Sequence, residues 1–142
     1  MGTRRKGRII AFQTLYRFEC TGESLEDVLD FSWIDKELYS KLGDDSLDFA
    51  RLLITGTTGN LQQVDESIKR QLEHWDFSRI ARVDLAILRV GVYCLLFQKD
   101  IPFTVTIDEA ISISKEYGTE DSYRFINGIL DSILKKKKDS TI

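Results

Sequence analysis

Five cations and no acid occupy residues 1–18, at Arg4, Arg5, Lys6, Arg8 and Arg17. The first four crowd the opening turns of a segment with helical apolar spacing, so some of them face outward whichever side packs. Such a cluster suits phosphate contact. Gln13 and Tyr16 lie on nearby turns and offer an amide and a ring to unstacked bases, which is how single-stranded RNA is usually read. A solvated, solubilising face accounts for the same charges equally well. The positive end of a helix dipole prefers acids, however, so cations there want an external anion or another reason to exist.

Other reactive side chains are sparse. His74 is the one histidine, and beside Trp75 it reads as a surface or boundary residue rather than a general base. Cys20 and Cys94 are far apart, with no Cys-x-x-Cys, so neither a disulfide framework nor a zinc site is encoded. Cys94 falls on an apolar stripe with no basic neighbour on that face, which argues against an activated thiolate. Gly56, Gly59 and Gly91 do not form a phosphate loop. Asp108 and Glu109 are adjacent on a helix and diverge by about 100 degrees, so they suit a helix N-terminus rather than an acid/base pair. The expectation is a protein that is not an enzyme and needs no cofactor or metal. The run Lys135–Lys138 reads as a frayed, soluble tail.

The elements that position these residues read as helices. The chain has 142 residues, 42% of them hydrophobic and 30% charged, which fits one compact domain. Its single proline compares with roughly seven at average usage and suits long helices. No run approaches about 18 apolar residues and no signal peptide is evident, so a cytoplasmic protein with no membrane role is expected. The net charge of −3 hides segregation: residues 19–48 hold ten acids against Lys36 and Lys41.

The first helix is expected over about residues 3–20, ending near Gly22, and Ser24 caps a short second helix. Residues 41–46 read as a loop. From Leu47 to Trp75 an apolar series forms one long helix, or two joined end to end, with a bend or close packing at Gly56 and Gly59. A turn at residues 75–78 separates two halves, and Ser78 caps the next helix, whose core face reads Ile80, Val83, Ile87, Val90, Cys94 and Phe97. Pro102 stops that helix. Thr106 and Glu109 form a capping box for the next, Gly118 is its left-handed C-terminal cap, and a last helix carries Tyr123 to Leu134. The result is an all-α fold of about seven helices.

Three blocks together resemble the NusB family of transcription antitermination factors. They are Arg8-Ile-Ile-Ala-Phe-Gln-Thr-Leu-Tyr16, Arg82-Val-Asp-Leu-Ala-Ile-Leu-Arg-Val-Gly-Val-Tyr93, and Ile107-Asp-Glu-Ala-Ile with Lys115-Glu-Tyr-Gly118 and Phe125-Ile-Asn-Gly-Ile-Leu-Asp131. Their order, spacing and span cover essentially the whole chain. The resemblance implies two packed three-helix bundles in one NusB-like domain, at about residues 1–76 and 77–142. It also implies binding of boxA-type RNA together with the ribosomal protein NusE, within the RNA polymerase antitermination complex that reads through ribosomal RNA operons. Carried over, Arg4, Arg5, Lys6, Arg8, Gln13 and Tyr16 face RNA, extended by Asp121, Arg124 and Phe125 at the start of the last helix. Phe125 stacks on a base in that reading and is core in the plainer one.

The resemblance also implies a protein partner on the region of Glu73, Asp76, Asp84 and Arg89, where acids suit a basic ribosomal protein; plain surface ions are the simpler reading of Asp84 and Arg89. Gly128 is expected to let another helix approach closely. Two positions depart from the family pattern: Asp108 stands where it has Asn, and Cys94 where it has Glu. Some family members form homodimers that cover the RNA surface. Two other readings are the accessory RNA-binding domain of an RNA cytosine methyltransferase, disfavoured because 142 residues leave no room for a catalytic domain, and a plain helical interaction module. On the RNA reading, replacing Arg5 and Arg8 with alanine weakens binding and leaves melting nearly unchanged.

Overall fold

In a computed structural model that describes residues 2–73 and 76–140, the described residues form eight α-helices and one 3₁₀ turn. The helices are α1 (Thr3–Thr21), α2 (Leu25–Leu29), α3 (Lys36–Lys41), α4 (Asp44–Gly59), α5 (Leu61–Lys69), α6 (Arg82–Phe97), α7 (Phe103–Tyr117) and α8 (Ser122–Ser140). The 3₁₀ turn is Phe77–Arg79. The expectations for His74 and Trp75 lie outside the described residues. Among the described residues no helix is long and apolar enough to cross a membrane.

The first turns follow local chemistry as expected. Gly22 ends α1 at φ +71, a conformation that costs glycine little. The Ser24 hydroxyl accepts from the Asp27 backbone N–H at 3.2 Å and starts α2. The loop expected over residues 41–46 is only Leu42–Gly43. Helix α3 precedes it, capped by the Asp35 carboxylate on the Glu37 N–H, and α4 begins at Asp44 with two acids in its first turn. The long apolar series is two helices joined end to end at Asn60. Gly56 serves close packing: a Cβ there would lie 2.1 Å from Cζ of Tyr93 on α6.

Helix α6 is the axis of the molecule. Every residue from Leu85 to Leu95 is buried, because α1, α4 and α5 pack on one side of it and α7 and α8 on the other. A helix enclosed in this way is apolar all round rather than striped. The expected stripe was therefore too narrow, and Phe97, placed on it, is exposed. Arg89 is the one charged residue in that buried run. Its Nε and Nη2 donate to the two carboxylate oxygens of Asp65 on α5, each at 2.9 Å, and its Nη1 donates to Glu19 on α1 at 3.2 Å. Burial opposes the charge, but hydrogen bonds and charge from Asp65, then Glu19, outweigh it and hold the guanidinium pKa above its ordinary value. The surface-ion reading of Arg89 is thereby overturned.

Four local expectations are corrected. Ser78 does not cap α6; its N–H donates to the Asp76 carboxylate at 3.1 Å in the 3₁₀ turn, and α6 starts at Arg82 after an uncapped Ala81. The Thr106/Glu109 capping box does not form. Pro102, with φ −56, sets the helix entry earlier and α7 begins at Phe103, so Thr106 is already inside the helix and buried. Gly118 is extended, with φ −96 and ψ −167, and its reason is space: a Cβ would lie 2.5 Å from Ser122 Oγ and 2.8 Å from the Ser114 carbonyl. Gly128 is exposed, and a Cβ there would meet nothing within 4 Å, so no helix approaches it and nothing in the structure explains it.

Removing Asp65 leaves Arg89 buried with only Glu19 opposite. Asp65→Ala is expected to lower unfolding free energy by about 3 kcal/mol, the low end for a broken buried pair. Urea unfolding with an unchanged slope checks this; a midpoint equal to the parent's would refute the pinning role.

Candidate nucleic-acid interface

The four cations at the start of α1 divide by helical position, and Arg4 and Arg8, one turn apart, share a neighbour. Arg4 and Arg8 lie over the ring of Phe49 on α4, 4.8 and 5.4 Å from its centroid. Gly7 makes this possible, since a Cβ there would lie 2.9 Å from the Ser46 carbonyl of α4. Arg5 turns the other way to α7, with Nη1 3.0 Å from Glu109 and Nη2 3.5 Å from Glu116. Lys6 lines a groove with Ile10, Gln13, Leu38, Leu42 and Tyr117, about 330 Å³ in volume.

Arg8 does not face solvent. It is 7% exposed, and burial pushes its pKa below the ordinary value. It lines a cavity of about 20 Å³ with Phe12, Cys94 and Thr106, room for about one water. Cys94 therefore does have a cationic neighbour, contrary to expectation. Burial nevertheless dominates and pushes its thiol up to about 11, with Arg8 only moderating the rise. Where the family pattern has Glu, this chain sets a neutral thiol near Arg8. The double replacement of Arg5 and Arg8 would thus disturb the core as well as the surface, and the expectation of unchanged melting is withdrawn.

Along the rest of α1, Gln13, Tyr16 and Arg17 open onto a second groove of about 500 Å³, walled also by Cys20, Trp33, Val83 and Tyr117. Tyr16 and Tyr117 are 39% and 38% exposed, so each leaves ring surface in reach of a ligand. Arg17 pairs with Glu23 at 2.9 Å, and its buried Nε has no hydrogen-bond partner among the described residues. Tyr117 was missed in the sequence. It packs edge-on against Phe12, with centroids 5.1 Å apart, and lines both α1 grooves. An aromatic residue directly before the glycine that ends a helix was the available signal.

The start of α8 forms a separate, adjoining groove of about 490 Å³. Asp121 and Arg124 line it with Lys115, Thr119, Glu120 and Tyr123. Lys115 Nζ and the Arg124 guanidinium sit 4.9 and 5.6 Å from the Tyr123 ring centroid, and Arg124 Nε donates to the Tyr123 hydroxyl at 3.1 Å. Phe125 is half-buried and packs against the core. Of the acidic patch, Glu73 and Asp76 are exposed and Asp84 is half-buried in the first turn of α6. Arg89 is inside the ion triad and leaves that surface.

Residues 5–135 match the model of the NusB family. The chain belongs to the NusB family. A transcription antitermination protein NusB of Treponema pallidum is 47% identical over 132 residues, covering 93% of this chain and 92% of that protein. A solved structure of T. maritima NusB superposes with a TM-score of 0.83 at 41% identity, covering 98% of this chain and 97% of that one. The structure of antitermination factors NusB and NusE in complex with dsRNA matches with a TM-score of 0.79 at 26% identity, over 96% of this chain and 98% of that one. The fold is thus a NusB fold, and the NusB relatives are transcription factors.

Thiol chemistry tests the core beneath this surface. Cys20 is exposed and Cys94 buried, so one thiol per native chain is expected to react with an aromatic disulfide reagent at pH 8 and two after unfolding. Because the folded pKa of Cys94 lies above its unfolded value, its contribution to stability is present below about pH 9 and is lost as pH rises toward about 11. Two fast-reacting native thiols would contradict the burial.

Proposed function

We propose that this NusB-family chain is a non-enzymatic, cytoplasmic adaptor of transcription antitermination that binds boxA-type RNA together with the ribosomal protein NusE. The observation that carries the reading is the exposed face of α1, where Lys6, Gln13 and Tyr16 meet Tyr117 across two adjoining grooves. Cations, an amide and two rings in reach of one another suit a backbone with bases splayed from it. Arg4 supplies further charge, and Arg5 joins when phosphate displaces Glu109 and Glu116. Asp121, Arg124 and Phe125 extend the surface along α8. The end-to-end likeness to a NusB solved with NusE and RNA supports the same reading.

NusE would meet the acidic side formed by Glu73, Asp76 and Asp84, close to where α6 begins. The division into bundles at about residues 76 and 77 belongs to this proposal. It is supported by the way α1, α4 and α5 gather on one side of α6 and α7 and α8 on the other.

A filter-binding titration with a single-stranded boxA RNA tests this. Lys6→Ala with Tyr16→Ala is expected to weaken binding about tenfold with unchanged melting, since a stacked base contributes roughly 1–3 kcal/mol. Added NusE is expected to tighten RNA binding, and RNA to tighten NusE binding by the same factor. Affinity unmoved by the double substitution would remove α1 from the interface, and absence of coupling would reduce the protein to a simple RNA-binding domain.

A further inference from the structure

A second cationic cleft lies where α1 contributes nothing. It runs between α5, the end of α6 and the last turns of α8, with a volume of about 410 Å³. Arg70, Lys99, Lys136 and Lys137 line it together with Ser67 and Gln71, and among the described residues no carboxylate does. The Gln71 side chain fixes the walls. Its Oε1 accepts from Ser132 on α8 at 2.7 Å, and its Nε2 donates to the Ser67 carbonyl at 2.9 Å. The lysine run, which the sequence suggested was a frayed tail, lies within α8 and docks on α6 at Lys137. Lys137 donates to the Leu95 carbonyl at 2.5 Å and lies 5.2 Å from the Phe103 ring centroid. Burial and the charge of Lys99 push its pKa below the ordinary value.

Structural needs account for only part of this charge. The C-terminal ends of α5 and α6 open toward the cleft, and each is equivalent to about half a negative charge. Glu66 reaches Arg70 at 3.7 Å from outside, in an exposed pair. Arg70 thus has an acidic partner and Lys137 is engaged at the Leu95 carbonyl of α6, which leaves Lys99 and Lys136 to be accounted for. Lys99 and Lys136 are exposed, have no acidic partner at salt-bridge distance among the described residues, and stand on separate elements facing one opening. Like charges brought together in a cleft raise the local concentration of anions.

We propose that this cleft is a second phosphate-binding site, which holds the sugar–phosphate backbone of RNA extending beyond the segment bound on α1. The inference rests on the RNA reading above for the first segment only; the cleft has its own residues and its own readout. With no stacking ring exposed among its lining residues, it would follow backbone charge and carry no base preference.

The test compares a short single-stranded boxA RNA of about 12 nucleotides with one of about 40 that contains it, both titrated against the full chain over a range of salt. In the parent protein the long RNA is expected to bind more tightly and with a steeper salt slope. Lys99→Glu with Lys136→Glu is expected to weaken the long RNA tenfold or more, to reduce its salt slope by about two, and to leave the short RNA unchanged. Lys137 is left intact because it supports α6. Lys99→Gln with Lys136→Gln, which removes the charges without reversing them, should give a smaller loss in the same direction. Equal affinity and slope for the long RNA in parent and variants overturns the cleft. Failure of the short RNA to bind the parent counts against the α1 face instead, and the long-RNA arm still reads the cleft.

Discussion

The burial of α6 on every side is the constraint from which the rest of the molecule follows. A helix in that position has no solvent face on which to keep a charge, yet it carries Arg89 at its middle. An isolated guanidinium there would be costly, and the structure meets the requirement with Asp65 from α5 and Glu19 from α1. Three helices, α1, α5 and α6, are thereby fixed to one another in register. Apolar packing alone would hold α6 in place but would allow it to slide or rotate more easily, since dispersion contacts have little directionality. The forked geometry of the Arg89–Asp65 pair removes that freedom.

The same enclosure explains why the basic end of α1 is not a uniform patch. α1 lies between α4 and α6 with α7 nearby, so the cations at its start divide among several neighbours. Arg8 is drawn inward beside Cys94, Arg5 is held by acids of α7, and Arg4 rests on Phe49. Total charge therefore overstates the positive field offered to a ligand. What remains on the exposed face is a small set of groups of several kinds, a lysine, an amide and two tyrosine rings, arranged beside grooves. That mixture is better matched to a strand with exposed bases than to a smooth polyanion, while the cleft at the end of α8 has cations without rings.

The turn at Gly22 and the cap at Ser24 were legible in the sequence, whereas features that depend on where a helix begins or on what packs against it were not. Gly22 and Ser24 act within one helical turn, and both behave as their residue types dictate. The capping box at Thr106 failed although its pattern was correct, because Pro102 had already set the helix entry and Glu109 had a distant partner in Arg5. Arg89 was read as a surface ion or a partner contact, because its two partners lie 24 and 70 residues away and no local pattern marks them. Gly118 was read as a conformational device when its actual requirement is room for Ser122. Tyr117 was passed over because its importance comes from lying against α1, and α7 and α1 are joined only by the fold.

The shared use of α6 also bears on how two partners would influence each other. Val83 walls the α1 groove with Tyr16, and Asp84, the next residue, belongs to the acidic side. Arg82 in the same turn reaches Cys20 of α1, with Nη1 3.7 Å from the sulfur. The proposed RNA face and the proposed protein face thus adjoin where the end of α1 meets the start of α6. Further along α6, Arg89 clamps the same two helices through Glu19. A ligand that orders the end of α1 would consequently order the start of α6 as well, so that part of the entropic cost of binding the second partner is met by the first. Coupling of this kind needs no change of fold; it needs only that the two surfaces share one rigid pair of helices.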